Sequence, residues 1–311
     1  MMRLLTKLGP LLGFLCVFVW FAVRNPDSFP TTGNLLTVAL QTVFVALTAL
    51  GMTFVVAAGG IDLSVGSVLA LSSVTTALLR QHGCDVGTAA LGGMGSGAFM
   101  GTLNGVLVTR LHIGPFLVTL GTMGIARGLA KWLAEERTVQ ADPAWLPAWV
   151  TKSPEPAWLV LAPAVWLVVG LGLVLGVVLA RSVFGVHTYA VGSNEANARL
   201  CGVPVESVKV RIYALCGLMA GIAGVLHFAR VRVGDPMAGA GLELQVIAAV
   251  VLGGGSLAGG EGSILGSLLG ALCMALLANG CTIEGLPNYV QDMLVGVIIL
   301  GAVALDRWRR R

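Results

Sequence analysis

In 311 residues, 56% are hydrophobic, only 11% are charged, and the mean hydropathy is +0.89. A soluble globule carries roughly 25% charged residues to cover its wetted surface, so this composition excludes an ordinary water-soluble enzyme and makes lipid the solvent. The net charge of +4 excludes little by itself, but its basic residues sit between apolar runs and at the C-terminus, which fits topological sorting rather than nucleic-acid binding.

A membrane-crossing helix needs about 20 mostly apolar residues. Backbone groups in lipid must be satisfied within the chain, and no alternating barrel strands occur, so helices are expected throughout. Breaking the apolar runs at charges, prolines and Gly-rich turns gives about ten spans. They lie near residues 8–24, 35–58, 63–80, 86–109, 114–132, 157–180, 208–229, 243–258, 263–280 and 289–305. The fold class is thus an all-α polytopic membrane protein, read as one transmembrane domain over residues 1–311.

The first run follows Arg3 and Lys7 and imitates a signal peptide. It lacks a small-residue cleavage site and continues into Arg24-Asn25-Pro26-Asp27, so it reads as a retained span. Ten spans place both termini on one side. With the termini inside, the inner face collects 11 of the 19 basic residues, including Arg110, Arg181, Arg199, Lys209 and the tail Arg307-Trp308-Arg309-Arg310-Arg311, against 5 of the 15 acidic ones. Cytoplasmic termini are therefore expected.

After the second span comes Gly59-Gly60-Ile61-Asp62-Leu63-Ser64. Placing an aspartate at mid-membrane costs about 2.5 to 3.5 kcal/mol. The paired glycines permit a helix break, and Asp62 with Ser64 is suited to cap the helix that follows. Three readings stand side by side: a structural cap at a tight joint, a gating hinge, and a substrate contact. The fourth span carries Gly93, Gly97 and Gly101 before Asn104-Gly105, and the ninth carries Gly262, Gly266 and Gly270 before Asn279-Gly280. This faint repeat suggests two inverted five-helix halves. Arg127 and Glu243 fall near expected span ends, where snorkelling is ordinary.

Residues 132 to about 156 form the longest outer loop, with Trp132, Trp145 and Trp149 placed to lie at headgroup level or to form a docking surface. A second polar stretch, about 189–205, faces inward and reads as a short capped helix. Ser193 or Asn194 is the N-cap, Glu195 lies in the first turn, Gly202 sits at C′, and Pro204 blocks continuation. A pre-formed helix in that position is something a partner protein can grip. The alternative is an ordinary connector.

The run Val251 to Ser263 is glycine-rich but holds no phosphate-binding loop, because none of Lys7, Lys131, Lys152 and Lys209 follows a glycine. No ATPase site is expected. His82, His112, His187 and His227 are scattered, and the six cysteines form no CxxC pair, so neither a catalytic or metal site nor a cofactor is expected.

Together these segments resemble the ribose/xylose/arabinose-type permeases of bacterial ABC importers, from about residue 30 to 305. The strongest element is Gly51-Met52-Thr53 through Gly59-Gly60-Ile61-Asp62-Leu63-Ser64-Val65-Gly66-Ser67. Pro115-Phe116-Leu117-Val118-Thr119 with Arg127-Gly128 resembles a second block, and Val251 to Gly262 a third. The resemblance implies about ten helices per subunit and two such subunits, identical or related, around one pathway. It implies a cytoplasmic ABC ATPase and a periplasmic sugar-binding protein as partners, in the bacterial inner membrane, with no nucleic acid. Gly192, Asn194, Glu195, Ala198, Arg199 and Gly202 become candidates for coupling to the ATPase. Gly59, Gly60, Asp62, Ser64, Asn104, Phe116 and Thr119 become candidates for the pathway or its gating. One departure is visible: the family pattern Glu-Leu-Asp-Ala reads Glu243-Leu244-Gln245-Val246 here. The rival reading is an ion- or proton-coupled secondary transporter built on Asp62. A membrane enzyme is disfavoured by the lack of a catalytic constellation.

Overall fold

The computed structural model describes residues 2–152 and 154–309. Twelve α-helices make up about three quarters of the chain: α1 Met2–Arg24, α2 Thr32–Ala57, α3 Val65–Gln81, α4 Val86–Arg110, α5 Pro115–Leu133, α6 Pro163–Arg181, α7 Val183–Ser193, α8 Glu195–Leu200, α9 Val205–Val231, α10 Leu242–Leu252, α11 Ile264–Ile283 and α12 Asn288–Arg309. Every expected span overlaps one of these helices. By length and hydropathy, four of the described helices qualify outright as membrane-crossing: α2, α6, α9 and α11.

The centre is occupied by α2 and α9. From Val45 to Ala57 every residue of α2 is buried, so the helix is apolar all round, as expected for one enclosed by other helices. Against α9 lies α4, and glycine sets their separation. A Cβ on Gly97 would sit 2.5 Å from the Gly217 carbonyl oxygen, and one on Gly217 would sit 2.7 Å from Gly101 Cα. Close backbone approach of this kind is how small residues pack membrane helices, where water cannot drive association. Ser72 of α3 donates to the Gly221 carbonyl at 2.8 Å, and Thr53 of α2 donates to Ser267 of α11 at 2.7 Å. Phe21 of α1 packs over Gly280 of α11.

The connections gather at two ends. At one, β1 (Val139–Gln140) pairs antiparallel with β2 (Val233–Gly234), Arg80 donates to the Asp142 carbonyl, and Arg24 bridges Glu284 at 3.2 Å. This is the ribbon end. At the other, the joints 58–64, 182–204 and 253–263 meet. Cys84 and Cys281 are both free thiols.

Three boundaries correct the sequence reading. The sixth helix starts at Pro163 rather than 157, because Ala157–Leu159 is a 3₁₀ turn and Pro163 supplies the first helical residue. The inward polar stretch contains two helices, α7 and α8, rather than one. The run 243–258 is helical only to Leu252, an 11-residue helix about 16 Å long. That is half the depth of a hydrocarbon core of about 30 Å. The missing half is non-helical backbone, the short strand Val233–Gly234 followed by turns over residues 236–241. Residues 232–241 run along α3, with Gly234 beside Val74 and Ala77 and Gly239 against Gly66.

Candidate functional site

Residue type dictates how this non-helical strip survives among helices. Its carbonyls cannot bond within a helix, and an unsatisfied carbonyl in lipid costs several kcal/mol. Arg127 of α5 supplies the donors, at 2.8 Å to the Pro236 carbonyl and 2.7 Å to that of Ala238. The expectation that Arg127 snorkels is thus corrected. Its guanidinium turns inward and pins the strip.

The strip also exposes a repeat that the glycine count had hidden. Gly60-Ile61-Asp62-Leu63-Ser64-Val65 enters α3, and Gly241-Leu242-Glu243-Leu244-Gln245-Val246 enters α10. Both begin helices after a broken stretch, and the two meet where Gly66 touches Gly239. Aligning the two joints in sequence was the signal that could have revealed the break before α10.

At the first joint, Asp62, Ser64, Asn104 and Thr119 come together, all closed from solvent. The Asp62 carboxylate oxygen Oδ1 accepts from the Ser64 N–H at 2.9 Å, from the Ser64 hydroxyl at 2.6 Å and from the Asn104 amide at 3.4 Å. Asn104 also donates to the Ser64 hydroxyl at 2.9 Å, and the Thr119 hydroxyl donates to the Ile61 carbonyl at 3.2 Å. Ser64 does occupy the N-cap of α3, but its hydroxyl makes no cap bond to the helix. Asp62 instead holds the serine, so α4 and α5 clasp the joint through side chains. Phe116 does not join them. It lies half-exposed on the outer face of α5.

Gly59 belongs to a different junction, whereas Gly60 packs against Tyr213 and Val55. Gly59 (φ +77°), Gly192 and Gly259 (φ +85°) stack with backbones in contact, and the Gly260 N–H donates to the Ala57 carbonyl at 2.9 Å. A Cβ on Gly259 would lie 2.9 Å from Gly59 Cα. Tyr189 adds a bond from its hydroxyl to the Gly262 carbonyl at 2.7 Å. Three chain segments distant in sequence therefore meet at one seam, with Gly192 of α7 packed against both loops.

From that seam the chain runs into α8. Asn194 caps it, its side chain accepting from the Asn197 N–H at 2.9 Å. Gly202 closes it at φ +81°. The cap, the glycine stop and the proline fall where the sequence reading put them. Glu195, Arg199 and Leu200 are exposed, whereas Ala198 is buried against the bundle. Glu195 accepts from Lys209 at 2.6 Å and from Arg199 at 3.5 Å, and Arg199 also binds Glu206. These four charges staple α8 onto the first turns of α9. An exposed pair alone is worth about 0–1 kcal/mol, but a network fixes geometry. Of the six coupling candidates, four lie on the open surface of this unit. Gly192 and Ala198 seat it instead.

Among the described residues no cluster of His, Cys, Asp or Glu is arranged to hold a metal.

The chain matches the family described as branched-chain amino acid transport system / permease component over residues 34–303. The ribose import permease protein of Bacillus subtilis (strain 168) is 39% identical over 307 residues, covering 97% of this chain and 92% of that protein. The ribose import permease protein of Escherichia coli (strain K12) is 36% identical over 306 residues, covering 95% and 92%. The L-arabinose transport system permease protein of the same strain is 34% identical over 309 residues, covering 99% and 93%. No solved structure matches the chain.

Proposed function

This chain belongs to the permease-component family of branched-chain amino acid transport systems, and on that premise we propose that it is the transmembrane permease of an ATP-driven importer for a small sugar. The observation that carries the sugar reading is likeness along nearly the whole chain to permeases named for ribose and arabinose. An ion-driven carrier built on Asp62 has no support from any relative, and Asp62 is closed within the α3–α4–α5 clasp.

The reading continues as follows. About ten helices cross the bacterial inner membrane in two inverted halves, with α7 and α8 as cytoplasmic insertions. The repeated entry motifs at Gly60 and Gly241 support the inverted halves. The glycine-seam end is cytoplasmic, as are both termini. The ribbon end, with exposed Trp132, Trp145 and Trp158, faces the periplasm and receives a sugar-binding protein. A second copy of this chain completes the pathway. ATP is hydrolysed on a partner ABC subunit, since this sequence holds no phosphate-binding loop.

Coupling follows from the stapled geometry. An ATPase that grips Asn194, Glu195, Arg199, Leu200 and Gly202 moves α8. The ion network carries that motion to the base of α9, and the Gly192 layer carries it to the joints 58–64 and 253–263. Gly59, Gly60, Asp62, Ser64, Asn104 and Thr119 then act as hinge and clasp for the spans that reorient. Phe116, on the outer face of α5, belongs to the surface that meets the second copy.

The test is co-purification of the chain with its co-expressed ATPase, wild type against Arg199→Glu/Gly202→Pro. The wild type is expected to retain the ATPase. The variant, still inserted and monodisperse, is expected to lose it. Failure of the wild type to retain any ATPase overturns the importer reading.

A further inference from the structure

A cavity of about 470 Å³ opens between α2, α9, α10 and α11 toward the ribbon end, within the range of about 300–1,000 Å³ usual for small-ligand sites. Its lining combines Gln41 of α2, His227 and Arg230 of α9 and Gln245 of α10 with the apolar surfaces of Phe44 and Met274. Polar side chains inside spans are costly in lipid and ordinarily mark a solvated or ligand-bearing cavity. Four such groups from three helices converge here.

Two of the atoms are orphaned. Gln41 Oε1 and His227 Nδ1 are buried and have no hydrogen-bond partner among the described residues. Leaving a buried polar atom unpaired costs about 1–3 kcal/mol, so the lining is built for something that supplies hydrogen bonds. A lipid chain cannot do so. Arg230 stacks over Phe44 with its guanidinium carbon 5.4 Å from the ring centre, and His227 meets the same ring edge-on at 5.9 Å. Arg230 forms no salt bridge among the described residues. It also borders a second cavity of about 680 Å³ at the ribbon end, beside Trp149, Glu155 and Arg232. Arg230 therefore stands between an outer vestibule and the inner chamber.

We infer that the inner chamber is a sugar subsite within the permease, entered from the ribbon end past Arg230. Two carboxamides and an imidazole each offer both donors and acceptors, which is the complement of a hydroxyl group. The guanidinium fork spans neighbouring oxygens, and the Phe44 face offers an apolar wall for the C–H side of a sugar ring. Gln245, where the chain departs from the family pattern, contributes an amide to this wall that can both donate to and accept from a sugar hydroxyl.

This inference rests on the importer reading, and the two are separable by experiment. Saturation-transfer NMR on the purified full chain in lipid nanodiscs uses D-ribose, L-arabinose and L-leucine as probes at millimolar concentration. A pentose signal is expected from the wild type. His227→Phe and Gln245→Leu are each expected to weaken affinity roughly tenfold, while Gln245→Glu stays within about threefold of wild type. As a check independent of folding losses, Gln245→Cys is labelled with a membrane-impermeant thiol reagent and read by mass spectrometry at that residue; pentose is expected to slow labelling. Unchanged affinity in both apolar variants overturns the subsite, as does a stronger signal from L-leucine. Absence of any pentose contact in a chain that still retains its ATPase removes the subsite and leaves the importer standing. Loss of the ATPase from the wild type removes both.

Discussion

Substituting Gly192 with alanine tests the seam on which the coupling argument depends. A Cβ at this position would lie 2.7 Å from the Gly260 nitrogen, 2.9 Å from the Ala57 carbonyl carbon and closer still to the Ala57 oxygen. All three neighbours are backbone, so no side chain can rotate aside. Ordinary contact distances of about 3.5–4.0 Å require these backbones to part by roughly 1.5 Å or more. That separation takes with it the Gly260-to-Ala57 hydrogen bond, now 2.9 Å long. Overpacking costs about 1–3 kcal/mol and the bond about 0.5–1.5 kcal/mol, so a loss of about 2–4 kcal/mol is expected. Gly202→Ala is the internal control. It has open space around it but a φ of +81°, so it pays only the left-handed backbone cost of about 1–2 kcal/mol. In detergent, Gly192→Ala is expected to melt about 4–10 °C below wild type. In proteoliposomes with the ATPase, it is expected to uncouple hydrolysis from sugar import. Wild-type melting and coupling in Gly192→Ala would refute the claim that the seam transmits motion.

Gly101→Leu places a large side chain where even a Cβ would approach Gly217 Cα to 2.9 Å; α4 and α9 are expected to separate, with loss of stable protein in size-exclusion chromatography. Arg127→Met removes the donors to Pro236 and Ala238 and is expected to cost about 2–4 kcal/mol; hydrogen exchange across residues 235–241 should accelerate at least tenfold, and unchanged exchange would mean that the strip is held by other contacts. Charge reversal separates structural from coupling roles at α8. Arg199→Glu and Glu206→Arg are each expected to shift stability by less than about 1 kcal/mol yet impair ATPase coupling, and the double reversal is expected to recover coupling in part; a double variant no better than either single would show that the staple does not carry the motion.

Much of this protein was written in its sequence because lipid simplifies the problem. A chain with so few charges is expected to cross the membrane as helices, and breaks at proline, glycine and charge put an expected span over ten of the twelve helices, but α7 was missed. Local stops were equally plain. Asn194, Gly202 and Pro204 bracket α8 by chemistry that needs no neighbours, since a cap bonds to its own helix. The clasp partners Asp62 and Asn104 were each singled out, although 42 positions separate them.

What the sequence did not determine was where non-helical backbone goes. Hydropathy treats residues 243–258 as one more apolar run, because it sums side chains and ignores which carbonyls find donors. Only packing decided that α10 would be half a helix, since the strip before it is viable just where Arg127 of a distant helix meets two of its carbonyls. The same holds for the glycines. Composition supplied 43 of them without distinction. Tertiary structure sorted out that Gly97 and Gly217 set the distance between two helices and that Gly192 joins two loops. A missing side chain has no signature of its own, and its meaning comes from the backbone that fills the space.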